Sequence, residues 1–189
     1  MRVMSAGIVC AAFVLAASPS NAQPTYRRVD VDASGHLRLT TSAGVTISPP
    51  MDSDQVGVGQ PAVSLNGRSV GWLALYPNCC TTYPIPLALV VRSAGRERRF
   101  HGSDLPISQW AFRDGGRRVA LSQAPLHGIV STHYELYDVA SGRLLGAYDR
   151  APDTTAAPAS FGEFIGPGVP AWVRRAFGPP APPTDSINR

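Results

Sequence analysis

Apolar and polar positions alternate over short stretches of the chain, and turn-forming residues separate these stretches. This alternation has the period of a β-strand with one covered face, and it predicts four strands in each of two successive segments. The first segment is expected to have strands at about 61–65, 68–75, 85–92 and 96–100. The second is expected to have them at about 107–112, 117–122, 132–138 and 143–148. The pattern predicts an all-β protein with two four-stranded antiparallel sheets.

The two segments, 61–106 and 107–150, are copies of one another. A shift of 49 residues places Gly67 on Gly116 and Val70 on Val119, and a shift of 47 places 89–96 on 136–143. Self-similarity at a period near fifty residues is typical of blade-type β repeats. Asn-Gly is the strongest short hairpin signal, so Asn66-Gly67 is expected to form a type I′ turn between the first two strands.

Further elements flank the copies. Residues 23–60 contain a predicted hairpin, with strands near 26–31 and 36–40, and a Pro-rich linker. Residues 151–178 contain an Ala- and Pro-rich tether and a short helix from Pro170 to Gly178. One face of this helix is apolar and is predicted to pack on the sheets, with docking on a membrane or a partner as the alternative. Residues 179–189 are predicted to be a disordered tail.

The first 22 residues have the pattern of a secretory signal peptide. Arg2 supplies a positive charge, 3–17 is apolar or small, and small residues precede a cleavage position after Ala22. The apolar run is short for a membrane span. The mature protein is therefore expected to be periplasmic or secreted, with an uncleaved anchor as the alternative.

Charge narrows the range of partners. The 189-residue chain has a formal net charge of +4, and every basic side chain is an arginine. An exported, mildly basic protein is not expected to bind nucleic acid, whereas anionic lipid or a negatively charged protein remains open. One arginine cluster surrounds two hairpins and is expected to be a solvated edge, with a membrane-surface patch as the alternative. It comprises Arg92, Arg96, Arg98, Arg99, Arg113, Arg117 and Arg118.

The repeated segments resemble the WD-like repeats of exported bacterial β-propellers, of the type found in the Tol–Pal envelope system. Val-Ser-Leu-Asn-Gly-Arg-Ser-Val-Gly-Trp at 63–72 and Phe-Arg-Asp-Gly-Gly-Arg-Arg-Val-Ala-Leu at 112–121 carry the likeness, and Tyr137-Asp138-Val139 with Gly142 matches the outer hairpin. The resemblance covers about half of the mature chain and implies blade architecture. Propellers have about four blades or more. Two full repeats would therefore form an open stack, or several chains would complete a ring.

Cys79-Cys80 is the most distinctive dipeptide of the mature chain. In an oxidising compartment it is expected to form a vicinal disulfide, with buried thiols, intermolecular bonding or metal binding as alternatives. The loop that contains Cys79-Cys80 is called the cysteine loop. If the copies are neighbouring blades, this loop lies on the same rim as His127 and His133. Cys79, Cys80, His127 and His133 would then be a candidate set for zinc or copper, and no other cofactor is expected.

No nucleophile elbow or other catalytic motif supports an enzyme. The sequence predicts a non-catalytic binding or scaffold module of the bacterial envelope that contacts an envelope protein through rim loops. Tyr76 and Tyr83, in the cysteine loop, are the predicted contact residues, because aromatic side chains in constrained loops anchor well. The alternative is a metal- or redox-responsive periplasmic protein that uses the four-residue Cys and His set. The sequence leaves the oligomeric state open.

Overall fold

A computed structural model describes residues 23–79, 81–103, 105–126, 131–151 and 168–178. The predicted signal peptide, most of the tether and the predicted tail lie outside these ranges. The described part contains eleven strands and one α-helix. They are β1 (Tyr26–Val31), β2 (Leu37–Thr41), β3 (Thr46–Ile47), β4 (Gly57–Val63), β5 (Ser69–Tyr76), β6 (Ile85–Ser93), β7 (Arg96–His101), β8 (Ile107–Arg113), β9 (Arg118–Gln123), β10 (Thr132–Asp138), β11 (Leu144–Arg150) and α1 (Ala171–Phe177).

The strands form three antiparallel sheets in chain order: sheet A (β1–β3), sheet B (β4–β7) and sheet C (β8–β11). The predicted all-β fold with two four-stranded blade-like sheets is therefore confirmed. The N-terminal hairpin gains a short third strand. β4 begins at Gly57, earlier than expected, because a bulge between Gly59 and Ala62 lets the strand continue past Pro61.

The elements stack in the order sheet A, sheet B, sheet C and α1. Sheet B is covered on both faces, which explains why β5 is apolar from Val70 to Leu75. One face packs on sheet A through Trp72 and Val90, and the other packs on sheet C through Leu73 and Leu89. Helix α1 covers the far face of sheet C, where Val173 is fully buried, so the predicted packing of the helix on the sheets is confirmed.

The outer face of sheet A is polar and ends the stack on its other side. Arg28 pairs with Asp30 at 2.7 Å, and Arg38 pairs with Asp32 at 3.1 Å. Charged side chains on an end face keep a short array of sheets from adding further layers. Within the described ranges, no helix has the length and apolar character needed to cross a bilayer.

The type I′ turn predicted at Asn66-Gly67 is wrong. Only Gly67 has a positive φ there (68°), and its N–H donates to the carbonyl of Ser64 at 2.8 Å. The Asn66 side chain determines this geometry, because its Oδ1 accepts hydrogen bonds from the Arg68 N–H at 2.9 Å and from the Ser64 hydroxyl at 2.8 Å. Positive φ at both central residues occurs instead at Ala94-Gly95, with values of 52° and 75°.

Successive strands run in opposite directions, so their connections alternate between two ends of the stack. One end, the turn rim, carries the short connections 42–45, 64–68, 94–95, 114–117 and 139–143. The other end, the loop rim, carries the connections that follow Val31, Ile47, Tyr76, His101 and Gln123. Most of the loop-rim connections are longer, and the predicted contact residues lie there.

Candidate functional site

The predicted contact residues lie on or beside the connection that follows β5. Cys79 and Tyr83 are exposed, whereas Tyr76, the last residue of β5, is partly buried. Within the connection, Asn78 Nδ2 donates to Thr81 Oγ1 at 3.1 Å, and the Thr81 hydroxyl donates to the Tyr83 carbonyl at 2.7 Å. These bonds brace the loop from within and present the Tyr83 ring to solvent.

Tyr76 belongs to a three-residue cluster that joins the Pro-rich linker to sheet B. Its hydroxyl donates to Asp52 Oδ2 at 3.0 Å and accepts from Arg99 Nη1 at 3.1 Å. Arg99 also pairs with Asp52 at 2.8 Å. Burial, together with the hydrogen bond to Asp52, raises the pKa of Tyr76 above its ordinary value. Arg99 therefore lies on the loop rim and not with the other arginines of the predicted cluster.

His133 belongs to a second cluster, on the face of sheet C that packs against sheet B. Its Nδ1 lies 2.6 Å from Asp149 Oδ1, and its Nε2 lies 3.3 Å from Glu135 Oε1. Glu135 is buried, and its other oxygen accepts from Gln123 Nε2 at 2.8 Å. Gln123 Oε1 in turn accepts the backbone N–H of Ser103, in the connection between sheets B and C, at 2.7 Å. The cluster therefore ties three strands of sheet C to sheet B.

Two carboxylates determine the protonation of this cluster. Burial disfavours the charged imidazole, but the hydrogen bonds and charges of Asp149 and Glu135 outweigh it and raise the pKa of His133. Burial and the nearby negative charge of Glu135 raise the pKa of Tyr137 to about 12. The raised pKa favours the protonated imidazole, which bridges the two carboxylates of Asp149 and Glu135.

Only two members of the four-residue metal set can be placed in the structure. His133 lies on the loop rim, as does Cys79, but Cys80 and His127 lie outside the described residues. Among the described residues, no three His, Cys, Asp or Glu side chains converge as a metal site. Both ring nitrogens of His133 face carboxylates, so one contact would have to be exchanged before the imidazole could bind a metal. The vicinal disulfide and the metal set stay predictions.

Several contacts of these two clusters were not predicted from the sequence. Glu135 carries a signal that could have identified it, since a carboxylate in an otherwise apolar strand must find partners. Gln123 and Asp149 oppose His133 across neighbouring strands, and the predicted sheet would have placed them there. The pairing of Asp52 with Arg99 carries no such signal, because the two residues are 47 positions apart.

The fold defines the class of this protein as all-β, with blade-like antiparallel sheets compatible with β-propeller-like repeats. No protein-family model matches the chain, and no significant match is found among curated proteins. The assignment of function therefore rests on the geometry of the two rims.

Proposed function

We propose that this protein is an exported, non-catalytic binding or scaffold module of the bacterial envelope that contacts a protein partner through its loop rim. The observation that carries the proposal is the exposure of large apolar side chains on or beside the loop-rim connections. Tyr83 is 48% exposed, and four further described residues there are exposed: Val31, Val56, Leu87 and Leu126. Exposed apolar groups on braced loops are typical of protein contact surfaces.

The two polar clusters support this function by keeping the loop rim rigid. The Tyr76–Asp52–Arg99 cluster holds the linker and the end of β5 together, and the His133 cluster holds the ends of β9, β10 and β11. A surface that is already ordered loses less conformational entropy on binding. The signal-peptide pattern and the likeness to Tol–Pal propeller repeats support a location in the envelope.

Site-specific photo-crosslinking in the native envelope tests the proposal. A photoreactive residue at Tyr83 is expected to give one discrete protein adduct, and the same residue at Leu126 should give an adduct with the same partner. Thr46, an exposed position on the edge strand of sheet A, is the matched control and should give none. Absence of an adduct from both rim positions, or an equal adduct from Thr46, would contradict the proposal.

Replacement of both cysteines distinguishes binding from the metal- or redox-responsive alternative. If the loop acts as a contact surface, the variant Cys79→Ser/Cys80→Ser is expected to keep the Tyr83 adduct. Native mass spectrometry of the wild-type protein, before and after reduction, provides the second measurement. Bound metal that disappears in the serine variant, together with loss of the adduct, would favour the alternative.

A further inference from the structure

The turn rim is a continuous surface formed by all three sheets. The N–H of Tyr26, at the start of sheet A, donates to the carbonyl of Gly67 in the first turn of sheet B at 2.6 Å. Asn66 in that turn lies beside Gly115 in the corresponding turn of sheet C. Arg98 Nη2 of sheet B donates to the Ala140 carbonyl in the second turn of sheet C at 2.8 Å. The short turns therefore support one another across the sheet boundaries.

Arginines concentrate on this rim. In the described part of the chain, the turns and the strand ends next to them carry eight arginines and three carboxylates. The arginines are Arg68, Arg92, Arg96, Arg98, Arg113, Arg117, Arg118 and Arg143, and the carboxylates are Glu97, Asp114 and Asp138. These residues come from four separate stretches of sequence, and the antiparallel order of the strands brings them to one end of the molecule.

The three carboxylates neutralise only part of this charge. Glu97 pairs with Arg92 at 2.8 Å, and Asp114 pairs with Arg118 at 3.1 Å. The Asp138 carboxylate accepts from the Ser141 hydroxyl at 2.7 Å and from the Ser141 N–H at 2.8 Å, which keeps it within its own turn. Among the described residues, no ion pair joins Arg68, Arg96 or Arg117 to a carboxylate. All three are exposed.

Apolar side chains project between the arginines. Leu65, in the first turn of sheet B, is 100% exposed, which is the largest exposure among the large apolar residues of the described part. Val45 in the turn of sheet A and Leu144 beside the second turn of sheet C are also exposed. Exposed leucine and valine on tight turns among cations match the composition of surfaces that enter the headgroup region of a bilayer.

The loop rim has the opposite charge balance. Its described residues include five carboxylates, on Asp32, Asp52, Asp54, Glu135 and Asp149, and three arginines, Arg38, Arg99 and Arg150. Two of these arginines are paired with Asp32 and Asp52. The molecule is thus electrically polarised along its strands, and a negatively charged surface would orient it with the turn rim inward.

We propose that the turn rim docks on an anionic phospholipid bilayer, with arginines on the lipid phosphates and Leu65 in the headgroup region. The turns of all three sheets contact one another at this end, so several arginines can meet lipid phosphates at once, and the exposed Leu65 has an apolar layer to enter. In this orientation the loop rim faces away from the membrane. The inference does not depend on the loop-rim function, because it rests on the charges and exposed side chains of the other end.

Vesicle co-sedimentation of the mature chain, residues 23–189, tests this proposal. Binding is expected with phosphatidylcholine vesicles that contain about one third phosphatidylglycerol, and at least about tenfold weaker binding with phosphatidylcholine alone. Raising the salt concentration should weaken binding strongly, because it screens exposed charges. Equal binding to both vesicles, or no binding to the anionic vesicles, would overturn the proposal.

Two double variants, each of which removes two arginines, test whether the turn rim is the lipid-binding surface. Arg68→Ser/Arg96→Ser is expected to weaken binding about tenfold or more, whereas Arg38→Ser/Arg150→Ser, which removes two arginines near the loop rim, should change it less than about threefold. Leu65→Ser should weaken binding several-fold without altering the salt dependence. Equal losses in the two double variants would overturn the proposal, because net charge alone would then explain binding. A different outcome is that the protein binds a polyglutamate peptide, loses that binding in Arg68→Ser/Arg96→Ser, and does not bind vesicles. That result would assign the turn rim to an acidic protein partner and would overturn the lipid-docking proposal.

Discussion

The buried carboxylate of Glu135 shows how single residues join the sheets of this protein. A charge in a buried strand is costly unless it is hydrogen-bonded and paired. Here Gln123 donates to one oxygen, and His133 lies against the other. Because Gln123 also accepts from Ser103 in the connection to sheet B, the charge is stabilised only when sheets B and C are correctly placed.

At the residue scale, His133→Gln is expected to change the pH dependence of stability. The folded pKa of His133 is raised, whereas the unfolded value is about 6.5. Protonated His133 therefore stabilises the fold fully below about pH 6.5, and this contribution is lost as the pH rises through the folded pKa. Denaturant unfolding should be measured between about pH 5 and pH 9. The free energy of unfolding of the wild type should exceed that of His133→Gln by the largest amount at the acid end.

His36→Gln is the matched control for this measurement. His36 is exposed in the connection between β1 and β2, and its Nδ1 lies 3.9 Å from Asp32 Oδ1. Its replacement leaves the His133 cluster intact, so the pH dependence attributed to His133 should persist in this variant. A wild-type advantage over His133→Gln that stays constant or grows with pH would contradict the assigned role of His133.

At the element scale, the hairpin of β6 and β7 in sheet B has a turn that demands a left-handed backbone. Ala94 and Gly95 both have positive φ in the two-residue connection between β6 and β7, and Ser93 pairs with Arg96 across it. Left-handed backbone is unfavourable for alanine, because its Cβ approaches the following carbonyl oxygen. The strand register depends on this turn, so the strain at Ala94 is tolerated.

Ala94→Asn is accordingly expected to stabilise the protein by about 0.5–1 kcal/mol, since Asn tolerates this conformation and Asn-Gly is the preferred type I′ pair. The matched control is Ala140→Asn, an exposed position in the second turn of sheet C that does not have a positive φ. Thermal unfolding should show a higher melting temperature for the Ala94 variant alone. No increase, or an equal increase in both variants, would contradict the argument.

At the scale of the whole molecule, Gly71 determines how closely sheets B and C approach. A Cβ atom at Gly71 would lie 2.6 Å from Cη2 of Trp110 and 3.3 Å from Cζ of Phe112. The two rings pack edge to face, with centroids 5.0 Å apart, and Trp110 Nε1 donates to the Gln60 carbonyl at 3.1 Å. The ring of Trp110 therefore has little freedom to move aside.

Gly71→Ala is expected to lower the free energy of unfolding by about 1–3 kcal/mol, as overpacking of a well-filled interface does. Gly57→Ala in β4 is the matched control, because its Cβ would meet Leu75 Cδ1 at an ordinary 3.5 Å. The difference in stability between the two variants should appear as a difference in denaturant midpoint, with the m-value unchanged. Equal stability of the two variants would show that the sheets adjust without cost.

The sequence by itself determined the strands other than β3, their grouping into two similar four-stranded sheets and the short helix. It could do so because strand period, turn chemistry and helix ends are local properties of the chain. The tertiary structure decided which distant residues meet, such as Asp52 with Arg99 and Gln123 with Glu135, and it collected the arginines on one rim. Those contacts depend on how the sheets stack and on which end of each strand meets its neighbours, and no local pattern encodes that.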